Sequence, residues 1–345
     1  MKSFVAFLLL CSLHVSFAQK FSVLSGKVID TKTKEGLPGA TVYLANTTLG
    51  VSAGEGGTFL LDKIPSGKYD LIVSLVSYSS YSKSIQFSGD SISGLIIALS
   101  ASAIQFDAVS VTAQREKQNQ YYYSRFIKYF LGTTSNASRC KILNPQDIFV
   151  YREKNKIMAE VRKPIIVENK ALGYLIHYDL KEFSFNDELN EVWMSGIPRY
   201  EELTPQTPRQ KEKWMKERDR AYFGSIPHFL LALKYDQLYA NYFEIHDGQL
   251  NPLKKSDIMS DSEIRFKGTL YLSFAYEYPE NAYPRYKGGI QSSEIVFYGP
   301  PVKVYENGYF EDFRSLTFQG YLGWSFNIAE MVPLGYQPTQ NLKRK

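Results

Sequence analysis

Two cysteines are all that the 345 residues contain, and one of them, Cys11, sits in the leading apolar stretch. Once that stretch is removed Cys140 has no second thiol to pair with, so an internal disulfide is excluded as a source of stability. Cys140 also has no imidazole placed beside it in the sequence, so it reads as a structural cysteine rather than a nucleophile. Histidine is scarce too: of four, His177, His228 and His246 lie beyond the leader. The positions three residues on are Leu180, Leu231 and Gln249, so the spaced His and Glu ligands of a zinc peptidase are missing, as is His-Glu-x-x-His. Gly-x-Ser-x-Gly is absent, and so is a phosphate-cradling P-loop. Ser-x-x-Lys occurs at Ser80/Lys83 and Ser138/Lys141, a chance-level yield with no Lys-Thr-Gly beside it.

Long hydrophobic runs are lacking as well. Past the leader nothing approaches the ~18 consecutive apolar residues of a membrane helix. The longest apolar piece, Gly94 to Ile104, is interrupted by Ser100 and Ser102 and has the size of a strand. Nor does one sign of charge dominate: 40 Lys and Arg face 35 Asp and Glu. The densest basic stretch, Arg209 to Arg220, carries Glu212, Glu217 and Asp219, and reads as a solvated helix face with pairs such as Glu212–Lys216. A nucleic-acid partner, which needs unmatched cations on one face, is therefore not expected.

What is present begins with an export signature. Lys2 supplies a positive start, Phe4 to Leu13 is a short apolar run, and Ser16-Phe17-Ala18 offers small residues before a cut at Gln19. Leu10, where a lipoprotein site needs a small residue before Cys11, disfavours lipidation. We expect residues 1–18 to be a signal peptide and the chain to be exported, to the periplasm or the outer membrane and cell surface, with no transmembrane segment in its mature form.

From Phe21 to about Thr112 short β-branched or alternating segments recur, divided by turn chemistry such as Gly36-Leu37-Pro38-Gly39, Gly54-Glu55-Gly56-Gly57 and Pro65-Ser66-Gly67. Strands are expected at Ser22–Ile29, Ala40–Ala45, Thr58–Asp62, Lys68–Val76, Ser80–Phe87, Ser93–Leu99 and Ala108–Thr112. Phe59, Tyr69, Leu71 and Val73 would share one face. Seven short strands in that length argue for a two-sheet sandwich. Gln114 to Gln120 is wholly polar and reads as a linker.

Gly26-Lys27-Val28-Ile29-Asp30, Gly36 through Leu44, Gly57-Thr58-Phe59, Ile64 through Leu71 and Val76-Ser77-Tyr78 resemble, in order, the blocks of carboxypeptidase-regulatory-like domains of transthyretin-like fold. The resemblance covers roughly residues 24–100. Gly54, where many relatives have Asp, weakens any polar site in that turn, and Ser77 stands where many have Gly. Asp107 through Ala113 looks like the strand that follows such domains in TonB-dependent receptors, but the plug and barrel have no counterpart here.

Beyond the linker, 121–345 reads as an α+β domain with an antiparallel sheet and two or three helices. Helices are expected at Tyr122–Leu131, from Thr207 to about Tyr222, and at Pro227–Tyr239. Thr207 would cap the second, with Pro208 in its first turn and Gln210 at the capping-box position. Strands are expected at Asp147–Arg152, Ile157–Val161, Ile165–Glu168, Tyr174–Phe185, Glu263–Tyr278, Ser293–Val304 and Arg314–Phe326. Blocks such as Ala137-Ser138-Arg139-Cys140, Leu172 through Leu180, Gly224 through Leu230 and Met331 through Tyr336 resemble the C-terminal region that follows regulatory-like domains in a family of exported bacterial proteins. That resemblance implies no activity.

The acidic residues Asp179, Glu182, Asp187 and Glu188 suggest a glycosidase pair or a cation site, but strict alternation would set Asp179 on the face opposite Glu182. Aromatic groups at Tyr121-Tyr122-Tyr123, at Tyr239, Tyr242 and Phe243, and at Tyr276, Tyr278, Tyr283 and Tyr286 are candidates for stacking on a ligand or for the core and rim of a β-rich fold. The last four make the candidate ligand surface. His228, beside Phe229 and Leu230, reads as a core histidine. The expectation is a non-catalytic cell-envelope protein with no catalytic residue, metal or cofactor, binding a protein, peptide or glycan. Two alternatives stay open: an accessory of a TonB-dependent outer-membrane system, and a hydrolase of unfamiliar design.

Overall fold

The computed structural model describes residues 20–102, 120–276, 290–311, 315–340 and 342. The expected signal peptide, all but Gln120 of the expected linker, and the strand expected at Ala108–Thr112 lie outside them.

Seven strands build the sandwich: β1 (Phe21–Asp30), β2 (Thr41–Leu44), β3 (Gly50–Ser52), β4 (Thr58–Pro65), β5 (Gly67–Ser74), β6 (Tyr81–Phe87) and β7 (Ile92–Leu99). One sheet runs β4-β1-β7, with β1 and β7 parallel; the other runs β3-β2-β5-β6. Six of the strands stand where the alternation puts them. The seventh, β3, is three residues long and too short to show a period. Phe59, Tyr69, Leu71 and Val73 are all buried between the sheets, with Leu24, Val28, Leu44 and Ile97. Asp30 and Tyr78, from opposite ends of the recognised blocks, meet: the Tyr78 hydroxyl donates to Asp30 Oδ2 at 2.9 Å. The other carboxylate oxygen takes the Lys32 and Thr33 amides, and these bonds hold the Asp30 pKa below the usual carboxylate range.

The second region opens with α1 (Gln120–Leu131), whose buried Phe126 and Phe130 lie four residues apart on one face. Next come β8 (Cys140–Ile142), β9 (Ile148–Glu153), β10 (Lys156–Val161), β11 (Ile165–Asn169), β12 (Tyr174–Asn186) and β13 (Glu191–Glu202). In this sheet β12 pairs with β11 along its first half, with β10 at its far end, and with β13 along its other edge. Phe126 meets Phe183, and Phe130 meets Tyr178, both edge-on at 4.9 and 5.3 Å between centroids, which seats α1 on the sheet.

Two helices follow, α2 (Pro208–Tyr222) and α3 (Ile226–Lys234). The rest comprises β14 (Phe243–His246), α4 (Lys255–Ile258), β15 (Met259–Ser260), β16 (Glu263–Ile264), β17 (Gly268–Phe274), β18 (Gln291–Phe297), β19 (Val302–Lys303), β20 (Leu316–Gln319) and α5 (Gly320–Ser325). They form a four-stranded sheet, β14-β17-β18-β20, and a three-stranded one, β15-β16-β19, over a core shared with α3.

Four local expectations are corrected. First, β12 is not regularly alternating. Leu180 pairs with Gly196 and Glu182 with Ser195, so Lys181 is an extra residue and the inward phase shifts from even to odd positions. Asp179 and Glu182 therefore share the outward face. Second, α3 ends five residues early because Asp236 turns left-handed (φ 58°) and the Gln237 amide reaches back to Ala232. No glycine marks that stop. Third, Arg314–Phe326 is a strand only through Gln319, after which Gly320 (φ 71°) starts α5 and the Leu322 amide binds Ser293 Oγ. Fourth, Arg209–Arg220 is not wholly solvated. Trp214, Arg218 and Tyr222 recur every four residues and are buried, as is Asp219. The ion pair on this helix is Glu217–Arg220 rather than Glu212–Lys216. Thr207 caps α2 as expected, while the Gln210 side chain accepts from the Gln206 amide, one residue beyond the Thr207 amide that a capping box would use. Strand β13 escaped the sequence reading altogether, because Gly196 and Pro198 interrupt its pattern.

Sandwich and second region meet along two seams. The Asn46 amide donates to Pro198 O at 2.7 Å and the Tyr200 amide to Thr47 O at 3.0 Å, so a sandwich turn completes the outer edge of β13. Tyr43, Ala45 and Ile72 bury an apolar patch there against Ile197. At the other seam the 305–311 loop grips β5. Asn307 Nδ2 donates to Lys68 O at 2.7 Å, Tyr309 donates to Asp70, and the Lys68 ammonium pairs with Glu311 under the Tyr305 and Tyr309 rings. Gly67 (φ 149°) is required at this contact, since a Cβ would lie 2.5 Å from the Asn307 side chain.

Candidate functional site

The helix stop at Asp236 has a consequence for the surface. The chain leaves α3, makes a single turn at Tyr239–Asn241, and reverses through left-handed Tyr242 (φ 63°) into β14. After β14 a tight Asx turn at Asp247 returns it. Asp247 accepts the Gln249 and Asn251 amides, and its bonds to Asn251 and Gln249 hold its pKa low. A cleft of about 740 Å³ opens between these two approaches, lined by Asp236, Tyr239, Glu244, His246, Lys254 and Lys255 among others. That volume is in the range of small-ligand sites.

Phe243, Glu244, Ile245 and His246 all line the cleft. Consecutive strand residues point to opposite faces, so a cleft touching four in a row runs along the strand's edge. The hydrogen bonds agree. Tyr242 O accepts from Ala275 on the β17 side, which turns the peptide groups of Phe243 and Ile245 the other way, into the cleft. At one end Phe243 N–H is taken by Leu238 O at 2.9 Å; at the other, Ile245 O is taken by Leu253 N–H at 2.8 Å. Between them Phe243 C=O and Ile245 N–H have no hydrogen-bond partner among the described residues. Tyr239, at 68% exposure, stands beside them. Lys255 is drawn back to cap α3, donating to Lys234 O at 2.7 Å.

Of the four tyrosines expected to form the ligand surface, Tyr276 is half-buried. Its ring meets Tyr242 edge-on at 5.0 Å and adjoins Phe223 and Phe274, at the rim of the core. Tyr278, Tyr283 and Tyr286 lie outside the described residues. Of the second aromatic group, Phe243 is core and Tyr239 faces the cleft. The sequence showed those rings; it did not show the strand edge beside them.

Of the groups with catalytic potential named from sequence, His246 lines the cleft and the others lie away from it. His228 is 4% exposed; its Nδ1 accepts from Gly224 N–H at 3.0 Å, so Nε2 carries the proton and donates to Asn241 Oδ1 at 3.1 Å. Burial pushes its pKa down to about 4. Burial likewise pushes the Cys140 thiol up to about 12, and Sγ rests 3.5 Å from Asn136 O. Asp179 pairs with Lys181, Glu182 accepts from Trp193 Nε1 at 2.9 Å, Asp187 lies 3.8 Å from Arg152, and Glu188 accepts from Asn155. Sharing a face does not bring these carboxylates to one point. His177 lies 3.3 Å from Glu201 without hydrogen-bond alignment, and burial, reinforced by Arg199, lowers its pKa. Among the described residues no three His, Cys, Asp or Glu side chains gather as metal ligands, and no helix is long and apolar enough to cross a membrane.

Residues 24–111 match the family model of the CarboxypepD_reg-like domain. No curated protein matches the chain. Solved structures similar to it include a cohesin–X-dockerin complex from Acetivibrio cellulolyticus, at 21% identity over 24% of this chain and 62% of that one, with a TM-score of 0.22. The 5-hydroxyisourate hydrolase of Klebsiella pneumoniae is similar at 19% identity over 22% of this chain and 90% of that one, TM-score 0.20. A DUF3823 family protein of Bacteroides ovatus is similar at 10% identity over 53% of this chain and 82% of that one, TM-score 0.20. The chain spans 62% and 58% of the first two matched chains, both cohesin–dockerin complexes.

Proposed function

Starting from a CarboxypepD_reg-like domain at residues 24–111, we propose that the chain is an exported, non-catalytic binding protein of the cell envelope. Residues 19–112 form the sandwich domain and 121–345 a recognition domain. The sandwich acts as a spacer, clamped to its neighbour along β13 and at Lys68. The cleft on the edge of β14 receives the ligand, a glycan or peptide.

The observation that carries this reading is the cleft itself: an exposed aromatic ring beside backbone hydrogen-bonding groups that the fold leaves unused, near carboxylates at Asp236 and Glu244. The locked states of His228, Cys140 and Asp179 support binding over turnover, since none points a free nucleophile or base into that space. The test is an array of envelope glycans and peptides probed with the labelled chain and with its Tyr239→Ala variant. Signal on a defined ligand class that fades in the variant supports the reading. Signal that is equal for both proteins places the binding elsewhere and removes the cleft from the account.

A further inference from the structure

We propose that the outward face of α2 is a docking strip for a linear acidic polysaccharide, a chain that carries carboxylates on its sugars. The strip is separate from the cleft and does not depend on it. In the sequence the cations of Arg209–Arg220 look matched by Glu212, Glu217 and Asp219. Folding separates them. Asp219 turns inward, 6% exposed, and accepts from the Tyr336 hydroxyl at 2.6 Å and the Thr339 amide at 3.0 Å. Glu217 is engaged by Arg220 at 3.2 Å, and the acids that end β13 are engaged by Arg199 and Arg218. Arg209, Lys211, Lys213 and Lys216 stay exposed with no acidic partner among the described residues, and only Glu212 is left exposed beside them.

Arg209, Lys213, Lys216 and Arg220 are spaced four, three and four residues apart, which sets them in one line along the helix, about 16 Å long. Arg209 and Lys211 also stand in the first turn, where the helix dipole repels cations and attracts an anion. No acidic residue occupies that turn. Such an arrangement works against the helix and in favour of an anionic partner. The width of the strip selects among partners. Glu212 and Glu217 flank the line, one on either side, so a broad anionic surface such as a bilayer or a DNA duplex would press on both. A single polyanionic chain laid along the line meets the cations and passes between the acids. The line has no apolar side chain, so it lacks the buried anchor on which a protein partner depends. A hydrophilic chain of carboxylates needs none.

The experiment reads binding of the full chain to labelled octagalacturonate by fluorescence anisotropy, across a range of salt. Octaglutamate, anionic phospholipid vesicles and duplex DNA compete at equal anion concentration, with neutral dextran as the blank. We expect octagalacturonate to bind tightest. In Lys213→Gln/Lys216→Gln it should weaken about tenfold, with a slope of log affinity against log salt shallower by about one to two. Glutamine forms helix about as well as lysine, so loss of α2 is not the cause. Lys27→Gln/Lys83→Gln removes as much charge from the exposed surface of the sandwich and should weaken binding less than about threefold. Equal weakening by the two pairs would reduce the effect to net charge and overturn the strip. Tighter binding of vesicles or duplex would give the face to a membrane or a nucleic acid, and tighter binding of octaglutamate would give it to an acidic protein; each overturns the polysaccharide. No binding of octagalacturonate overturns it outright. The array with Tyr239→Ala tests the cleft separately, because that residue lies outside α2.

Discussion

Arg218→Met is the substitution whose cost can be worked out most fully. The guanidinium lies 3.9 Å over the Tyr174 ring, donates through Nε to Leu172 O at 2.7 Å and through Nη2 to Gly173 O at 3.2 Å, and pairs with Glu202 at 2.8 Å. It thereby pins the β11–β12 hairpin to α2. Glu202 is 61% exposed on its side chain, so that ion pair contributes about 1 kcal/mol or less. Gly173 O keeps a second donor, Leu203 N–H at 3.0 Å, whereas Leu172 O loses its partner. Orphaning one buried carbonyl costs about 1–3 kcal/mol, and losing the stacked cation adds roughly 1 kcal/mol. Methionine keeps most of the apolar stem, so packing changes little. The expected loss is about 2–4 kcal/mol in urea unfolding, against less than about 1 kcal/mol for Glu202→Gln. Should Arg218→Met fall within about 0.5 kcal/mol of the parent, or Glu202→Gln cost as much, the division of labour argued here would be wrong.

Further outcomes follow from the same geometry. His228 is held neutral down to pH about 4 when folded, whereas the unfolded chain takes up its proton near pH ~6.5. The His228 contribution to stability should therefore fall as pH drops from about 6.5 to about 4, by up to roughly 3 kcal/mol; the slope of urea midpoints across that range should lessen in His228→Asn, with a remainder carried by His177, whose pKa burial also lowers. Gly67→Ala should destabilise by about 1–3 kcal/mol through its clash with Asn307, and Asn307→Ala in the same chain should recover part of it in a double-mutant cycle. At the bulge, Lys181→Ala should be nearly silent, and deletion of Lys181, which leaves Leu180, Phe183 and Phe185 all facing inward in plain alternation, should keep a cooperative thermal transition; loss of that transition would show that the bulge itself is needed.

These residues also show where the sequence was legible. Period-two burial and turn glycines located six sandwich strands, because each element there obeys one local rule. The reading failed where a rule is broken by tertiary contact. The bulge at Lys181 is set by the pairing of β12 with β13, the halt of α3 rests on a left-handed aspartate, and β13 tolerates Gly196 and Pro198 because its outer edge is finished by Asn46 and Thr47. Of the candidate site, Tyr239 was visible only as one of a group of aromatics that fitted either a stacking surface or the core and rim. The unfilled edge of β14 was not, since it depends on how Leu238 and Leu253, far from each other in pattern, stop short of meeting.

Binding without turnover is best judged on the ligand rather than the protein. Whichever array ligand scores highest should be held with the full chain at equilibrium, recovered, and weighed by mass spectrometry. The account predicts a ligand that is retained by the chain and returned at unchanged mass. A shorter product that accumulates with protein concentration, and disappears in His246→Ala, would show an enzyme instead.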